Sequence, residues 1–106
     1  MTVKRGEIWW ANLPSPAGRR PVLLLSRNAA YAVRDLVSIA PITRTVRGIP
    51  AEVPLGPAEG LPQPCVVNCD SITTIPKDLL AERIVLLRSA KLAAVNAAIR
   101  FALSIS

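Results

Sequence analysis

The chain has 106 residues, 51% of them hydrophobic and 19% charged, which is the make-up of one globular domain spanning 1–106. Its ten prolines and five glycines follow no period, which excludes collagen-like and low-complexity chains, and its longest apolar runs (22–25 and 84–87) fall far short of the roughly 20 residues that cross a bilayer. Histidine is absent and there are two cysteines, so a Cys/His zinc site and a Ser-His or Cys-His catalytic pair are excluded, and neither a metal nor a cofactor is expected.

The N-terminus, Met1-Thr2-Val3-Lys4-Arg5-Gly6-Glu7, lacks the apolar stretch of a signal peptide, which predicts a cytoplasmic protein with no membrane association. Glu7-Ile8-Trp9-Trp10-Ala11-Asn12-Leu13 is rich in strand formers, and the turn cluster Pro14-Ser15-Pro16-Ala17-Gly18 follows it. Pro21-Val22-Leu23-Leu24-Leu25-Ser26 is a continuous apolar run, the signature of a strand covered on both faces. Further strands are predicted at 36–42, 51–55, 64–67 and 71–75, with 84–87 a candidate for one more; Asn28 to Val33 and Lys77 to Leu80 each suggest a single helical turn.

Only the C-terminus has a helical period. After Ser89 as N-cap, Leu92, Val95, Ile99, Ala102 and Leu103 fall on one face. Short strands in succession with one terminal helix predict an α+β fold, mainly β: a small, strongly bent antiparallel sheet or barrel. Cys65 and Cys69 lie four apart in one predicted strand, about 13 Å at 3.3 Å per residue, which predicts reduced, buried thiols.

The charge is one-sided. Residues 1–50 carry eight basic and two acidic groups, whereas 51–106 carry five of each, so the whole net charge of +6 lies in the first half. Ten of the thirteen basic residues are arginine, whose planar fork grips phosphate with two hydrogen bonds, and a polyanion is the natural partner. Arg19-Arg20-Pro21 places two guanidiniums at the rim of the Gly18 turn. Pro41-Ile42-Thr43-Arg44-Thr45-Val46-Arg47-Gly48 ends another strand with hydroxyls and arginines suited to a phosphate.

Five segments in order, Arg5-Gly6-Glu7-Ile8-Trp9-Trp10, Arg20-Pro21-Val22-Leu23-Leu24-Leu25-Ser26, Pro41-Ile42-Thr43, Arg47-Gly48-Ile49-Pro50-Ala51-Glu52-Val53 and Asp70-Ser71-Ile72-Thr73-Thr74-Ile75, resemble the MazF/PemK family of toxin endoribonucleases. The resemblance covers about residues 4–105. It implies a homodimer of SH3-like barrels, each with its C-terminal helix on the sheet, that cleaves single-stranded RNA without metal. It also implies a cognate antitoxin whose tail lies along the RNA groove, and such a tail should be acidic with apolar anchors.

The family's catalytic Arg and Thr or Ser fall on Arg20 and Thr43. The implied reaction is attack of a 2′-OH on the adjacent phosphorus, leaving a 2′,3′-cyclic phosphate and a 5′-OH. A fixed guanidinium would stabilise the charge that gathers on the phosphorane-like transition state. Thr43 is too weak a base to act unaided and would bond a phosphate oxygen or relay a proton. Arg19, Arg44 and Arg47 are further RNA contacts. Trp9 and Trp10 point to opposite faces of their strand, so either both are structural or one packs in the core while the other stacks on a base, a role that falls on Trp9 with Trp10 the alternative. Asp70 either caps a turn or accepts a hydrogen bond from a base.

Two departures from the family pattern stand out. Only Pro14 to Gly18 precede Arg19, where relatives carry a longer Gly-Ser-Glu-Gln loop, and Ser71 and Thr73 stand where relatives often have Gln and Arg. Contacts from those positions do not carry over. The competing reading is a toxin of the same fold that poisons DNA gyrase by protein contact, or a basic nucleic-acid-binding module; neither needs the Arg20 and Thr43 pair.

Overall fold

Strand-forming segments that alternate between two apolar surfaces dominate the computed structural model, which describes residues 2–106. The strands are β1 (Glu7–Asn12), β2 (Arg19–Leu24), β3 (Leu36–Thr43), β4 (Glu52–Leu55), β5 (Cys65–Asn68), β6 (Thr73–Pro76) and β7 (Leu80–Leu86), and one helix, α1 (Ser89–Ala102), ends the chain. Every strand pair is antiparallel, and the hydrogen-bonded path runs β4-β5-β3-β2-β1-β7 with β6 also on β3. The mainly β prediction with a C-terminal helix holds. The path is open, ending at β4 and β7, so the sheet is bent like a barrel without being closed.

β3 makes the bend. Its first half pairs with β6, its middle with β2, and its last two residues, Ile42 and Thr43, with Val67 and Val66 of β5. Two register shifts where β1 meets β7 curl the other end. Alternation then builds two cores. Ile8, Leu23, Ala40, Ile42 and Val67 bury one face beneath α1, which contributes Val95 and Ala98, while Trp9, Ala11, Val22, Leu24, Val37 and Ile39 bury the other with Tyr31. β2 is therefore apolar throughout its second half because each face lies in a core, as its unbroken run predicts.

The boundaries differ in instructive places. β7 starts at Leu80 rather than Ile84, because Ala11 pairs with Leu80 and the strand carries Glu82 and Arg83 along an outer edge. The residue capping α1 is Arg88, with no side-chain cap, and Ser89 is already helical. Lys77–Leu79 and Asn28–Ala32 are single 3-10 turns. Cys65 and Cys69 are buried and unbridged, and burial pushes the Cys69 thiol up to about 11, with Asp70 adding to the effect.

The motif Arg5-Gly6-Glu7 ties the N-terminus down. Arg5 donates through Nε to the Leu25 carbonyl (3.1 Å) and through Nη2 to Asn96 Oδ1 on α1 (2.9 Å). Gly6 has φ +91°, a left-handed conformation that favours glycine, and a Cβ there would also make the end of the Leu92 side chain, 2.8 Å away, shift. Glu7 accepts from the Lys4 backbone N–H (2.8 Å), Trp9 Nε1 (3.1 Å) and Arg83 Nε (2.6 Å). Burial opposes ionisation of this carboxyl, yet the bonds from Arg83, Trp9 and Lys4 outweigh it and hold its pKa below the ordinary value.

Candidate functional site: an acid-free arginine cleft

The cleft lies where β2 begins and β3 ends. Gly18, at φ +68°, closes the β1–β2 turn while its carbonyl accepts from the Leu13 N–H (3.0 Å), and the chain enters β2 at Arg19. The last β2–β3 pair is Val22 with Pro41. Two residues further along each strand the same register sets Arg20 opposite Thr43, just past the paired residues. Extending that register brings a residue on β2 and one 23 positions later to the lining of one cleft.

Each cleft arginine is held by a neutral group. Arg20 donates through Nε to the Ala17 carbonyl (2.8 Å), which fixes the base of its guanidinium and leaves its terminal nitrogens without a hydrogen bond among the described residues. Arg19 lies over the Trp10 ring, 5.0 Å from its centroid, a cation–π contact between diagonal cross-strand neighbours. Arg44 donates through Nη1 to Gln63 Oε1 (2.8 Å). Thr43 Oγ1 accepts from the Thr45 backbone N–H (3.1 Å), so its own hydrogen remains available as a donor.

These side chains line a cleft of about 360 Å³ floored by Ile42, Leu61 and Cys65, and an adjoining opening of about 540 Å³ shares Arg20, Thr43, Arg44 and Gln63 with it. No Asp or Glu lines either space. Three guanidiniums therefore face a cavity with no internal counter-charge, which focuses a positive potential on any anion that enters. Burial, reinforced by Glu59, raises the pKa of the Cys65 thiol, so it stays protonated and is no nucleophile at neutral pH. The cleft offers positioning and charge, not a strong base.

Of the residues singled out in the sequence, the cleft brings together Arg19, Arg20, Thr43 and Arg44. Trp9 requires a correction. It is 6% exposed, packed among the core residues and bonded to Glu7, so it cannot stack on a base. Trp10, half-buried on the opposite face of β1, is the tryptophan of the cleft. Arg47 and Asp70 lie outside the lining. Arg47 is exposed, and its backbone N–H, with that of Gly48, donates to Glu52 Oε1, each at 2.9 Å. Asp70 is exposed in a 3-10 turn, where its N–H donates to Asn68 Oδ1 (3.0 Å); the capping side chain is Asn68.

Sequence reasoning missed Gln63 and the cleft wall formed by Leu61 and Pro62. A lone Gln in a Pro-rich loop carries no periodic signal, and only the pairing of β4 with β5 swings that loop across from Arg44. It also missed Glu52, whose buried carboxylate holds the 47–48 loop and gives the Arg47-to-Glu52 motif a structural reason.

Residues 4–103 match the family model of PemK-like, MazF-like toxins of type II toxin-antitoxin systems. Among curated proteins, the chain is 36% identical over 103 residues to the probable endoribonuclease MazF5 of Mycobacterium tuberculosis, covering 96% of this chain and 94% of that one. Among solved structures, the Mycobacterium tuberculosis toxin MazF-mt6 superposes with a TM-score of 0.87 at 39% identity, covering 94% of this chain and 98% of that one. A mycobacterial endoribonuclease in complex with its cognate antitoxin superposes with a TM-score of 0.86 at 30% identity, covering 98% and 97%. The bent antiparallel sheet, the helix laid on it and a match over nearly the whole length agree: the chain belongs to the PemK-like, MazF-like toxin family of type II toxin-antitoxin systems.

Proposed function

We propose that the arginine cleft is the active site of an endoribonuclease that cuts single-stranded RNA, mRNA foremost, at short sequence motifs, and so inhibits translation. The observation that carries the reading is the facing of Arg20 and Thr43 inside an acid-free basic cleft, in a family whose relatives are named endoribonucleases. A toxin acting by protein contact alone has no need of that pair.

The geometry supports a transphosphorylation. With its Nε anchored on Ala17, Arg20 directs its terminal N–H groups at the equatorial oxygens of the phosphorane as the substrate 2′-OH attacks phosphorus. The P–O5′ bond breaks as P–O2′ forms, and the 2′-OH loses a proton while the departing O5′ takes one up, leaving a 2′,3′-cyclic phosphate and a 5′-OH. Thr43 donates its hydroxyl to a phosphate oxygen, and Arg19 and Arg44 hold the flanking phosphates. Trp10 supplies an aromatic surface for a base. Arg47, exposed on the next loop, extends the basic track.

The same cleft suits a cognate antitoxin whose acidic tail carries apolar anchors, since a segment that fills it must neutralise arginines and cover Trp10. RNA and antitoxin then compete. Phe101, Leu103 and Ile105 are each more than half exposed near the end of α1, apolar surface that suits a homodimer. The chain works in the cytoplasm, where its RNA is.

Incubating the purified chain with a long RNA in excess EDTA and mapping the new ends tests the proposal. Defined cuts with 5′-OH termini are expected. Strict dependence on added Mg²⁺, or 5′-phosphate ends, overturns the mechanism.

A further inference from the structure

The contact between Arg44 Nη1 and Gln63 Oε1, at 2.8 Å, settles which way the Gln63 amide faces. A guanidinium has only donors, so the atom against it is the amide oxygen, and the NH₂ group is turned away from Arg44. That NH₂ makes no hydrogen bond among the described residues, and Gln63 lines both the cleft and its adjoining opening beside Arg20 and Thr43. Gln63 sits in a bend between Pro62 and Pro64, two residues that narrow its backbone freedom, and Leu61 just before them is buried. An oriented amide donor in the lining of a cleft that would take a phosphodiester is placed to read a neighbouring base.

We infer that Gln63 is a specificity-determining residue, positioned by Arg44 to donate its amide N–H to a base next to the cleaved phosphate. It favours the keto bases uracil and guanine over the amino bases cytosine and adenine. The selection applies to a base that turns its exocyclic 4- or 6-position to this N–H, because the ring acceptors of cytosine and adenine lie at other positions. Uracil O4 and guanine O6 accept hydrogen bonds where cytosine N4 and adenine N6 donate, and single-stranded RNA leaves those edges open. A donor facing a donor leaves both unpaired. The inference rests on the ribonuclease reading of the cleft.

The test is cleavage of four RNA oligonucleotides that differ only in the nucleotide flanking the cut bond. The wild-type chain should cleave the uracil and guanine substrates about tenfold faster than the cytosine and adenine ones. Gln63→Glu keeps an oxygen for Arg44 but replaces the free donor by an acceptor, so the preference should turn toward cytosine and adenine. Gln63→Ala should flatten it. Because Gln63 is exposed in a loop, neither variant disturbs the fold, and a merely structural role would not reverse a base preference. Cleavage with the same preference in all three proteins, or a wild type indifferent to the varied base, overturns the assignment of Gln63 while leaving the ribonuclease reading intact. A wild type that cleaves none of the four and no long RNA overturns both.

Discussion

Arg5-Gly6-Glu7 and Arg19-Arg20-Pro21 both open strands in the basic half of the chain, but the structure treats their charges in opposite ways. Around the first, the charged groups are bonded into the fold. Arg5 is divided between a carbonyl and an amide, and Glu7 accepts from two N–H groups and pairs with Arg83 in the one salt bridge found among the described residues. Around the second, Arg19, Arg20 and Arg44 are oriented by an aromatic ring, a carbonyl and an amide oxygen, none of which cancels a charge. A satisfied network fixes the fold. An oriented but uncompensated one leaves its charge for a ligand, which in the proposed function is a phosphodiester.

The two tryptophans sharpen this contrast most. Trp9→Ala should cost about 3–5 kcal/mol of stability, because it opens a cavity in a packed core and removes a donor from Glu7. Trp10→Ala should leave thermal unfolding nearly unchanged and weaken RNA binding by about 1–3 kcal/mol, the worth of a base stacked on an aromatic ring. Denaturant melts and RNA titrations of both variants check it. Equal losses of stability would erase the division between the two faces of β1.

Glu7 provides a test by pH. Its folded-state pKa lies below the ordinary value, so the unfolded chain binds more protons in the acidic range, and the stability Glu7 contributes is present above the unfolded pKa and lost as pH falls through the folded one. Glu7→Gln should therefore lower stability at neutral pH by about 1–3 kcal/mol, as weakening of a charged hydrogen-bond set does, and lessen the loss in acid. Stability curves of the two proteins from neutral to acid pH should converge. Parallel curves would mean that Glu7 titrates alike in the folded and unfolded chains.

Salt gives the smallest effect. RNA affinity should fall steeply with salt, and Arg19→Ala should reduce the logarithmic slope by about one, the release of one phosphate contact. Arg47→Ala, outside the cleft lining, should reduce it by less. Equal reductions from both would spread the RNA track evenly over the basic half.

Much of this arrangement is legible in the sequence, for physical reasons that differ by element. The unbroken run from Val22 to Leu24 announces burial on two sides, and the structure places Leu23 in one core and its neighbours in the other. The period of α1 is legible too, although Leu103 lies exposed beyond the last contact with the sheet. β7 begins earlier than its apolar residues suggest, because its first half is an edge whose Glu82 and Arg83 read as loop. Arg20 and Thr43 are visible as family motifs, and their facing positions follow only from the β2–β3 register. Choosing between Trp9 and Trp10 needed the face on which Glu7 closes its network, a contact with Arg83 that lies 76 residues away.

The central claim is that Arg83, paired with Glu7, serves the fold, while Arg20, anchored through Nε alone with its terminal nitrogens unbonded among the described residues, serves the phosphate. Arg20→Ala and Arg83→Ala, compared for single-turnover RNA cleavage in EDTA, RNA affinity and unfolding, test it directly. Arg20→Ala should slow cleavage by about 10²–10³, as loss of one preorganised transition-state donor does, while affinity falls far less and stability holds. Arg83→Ala should lower stability by stranding the buried Glu7 carboxylate and leave cleavage by the folded fraction unchanged. The account is contradicted if Arg20→Ala cleaves at near the wild-type rate, if its rate and affinity fall by the same factor, or if Arg83→Ala is the variant that loses cleavage.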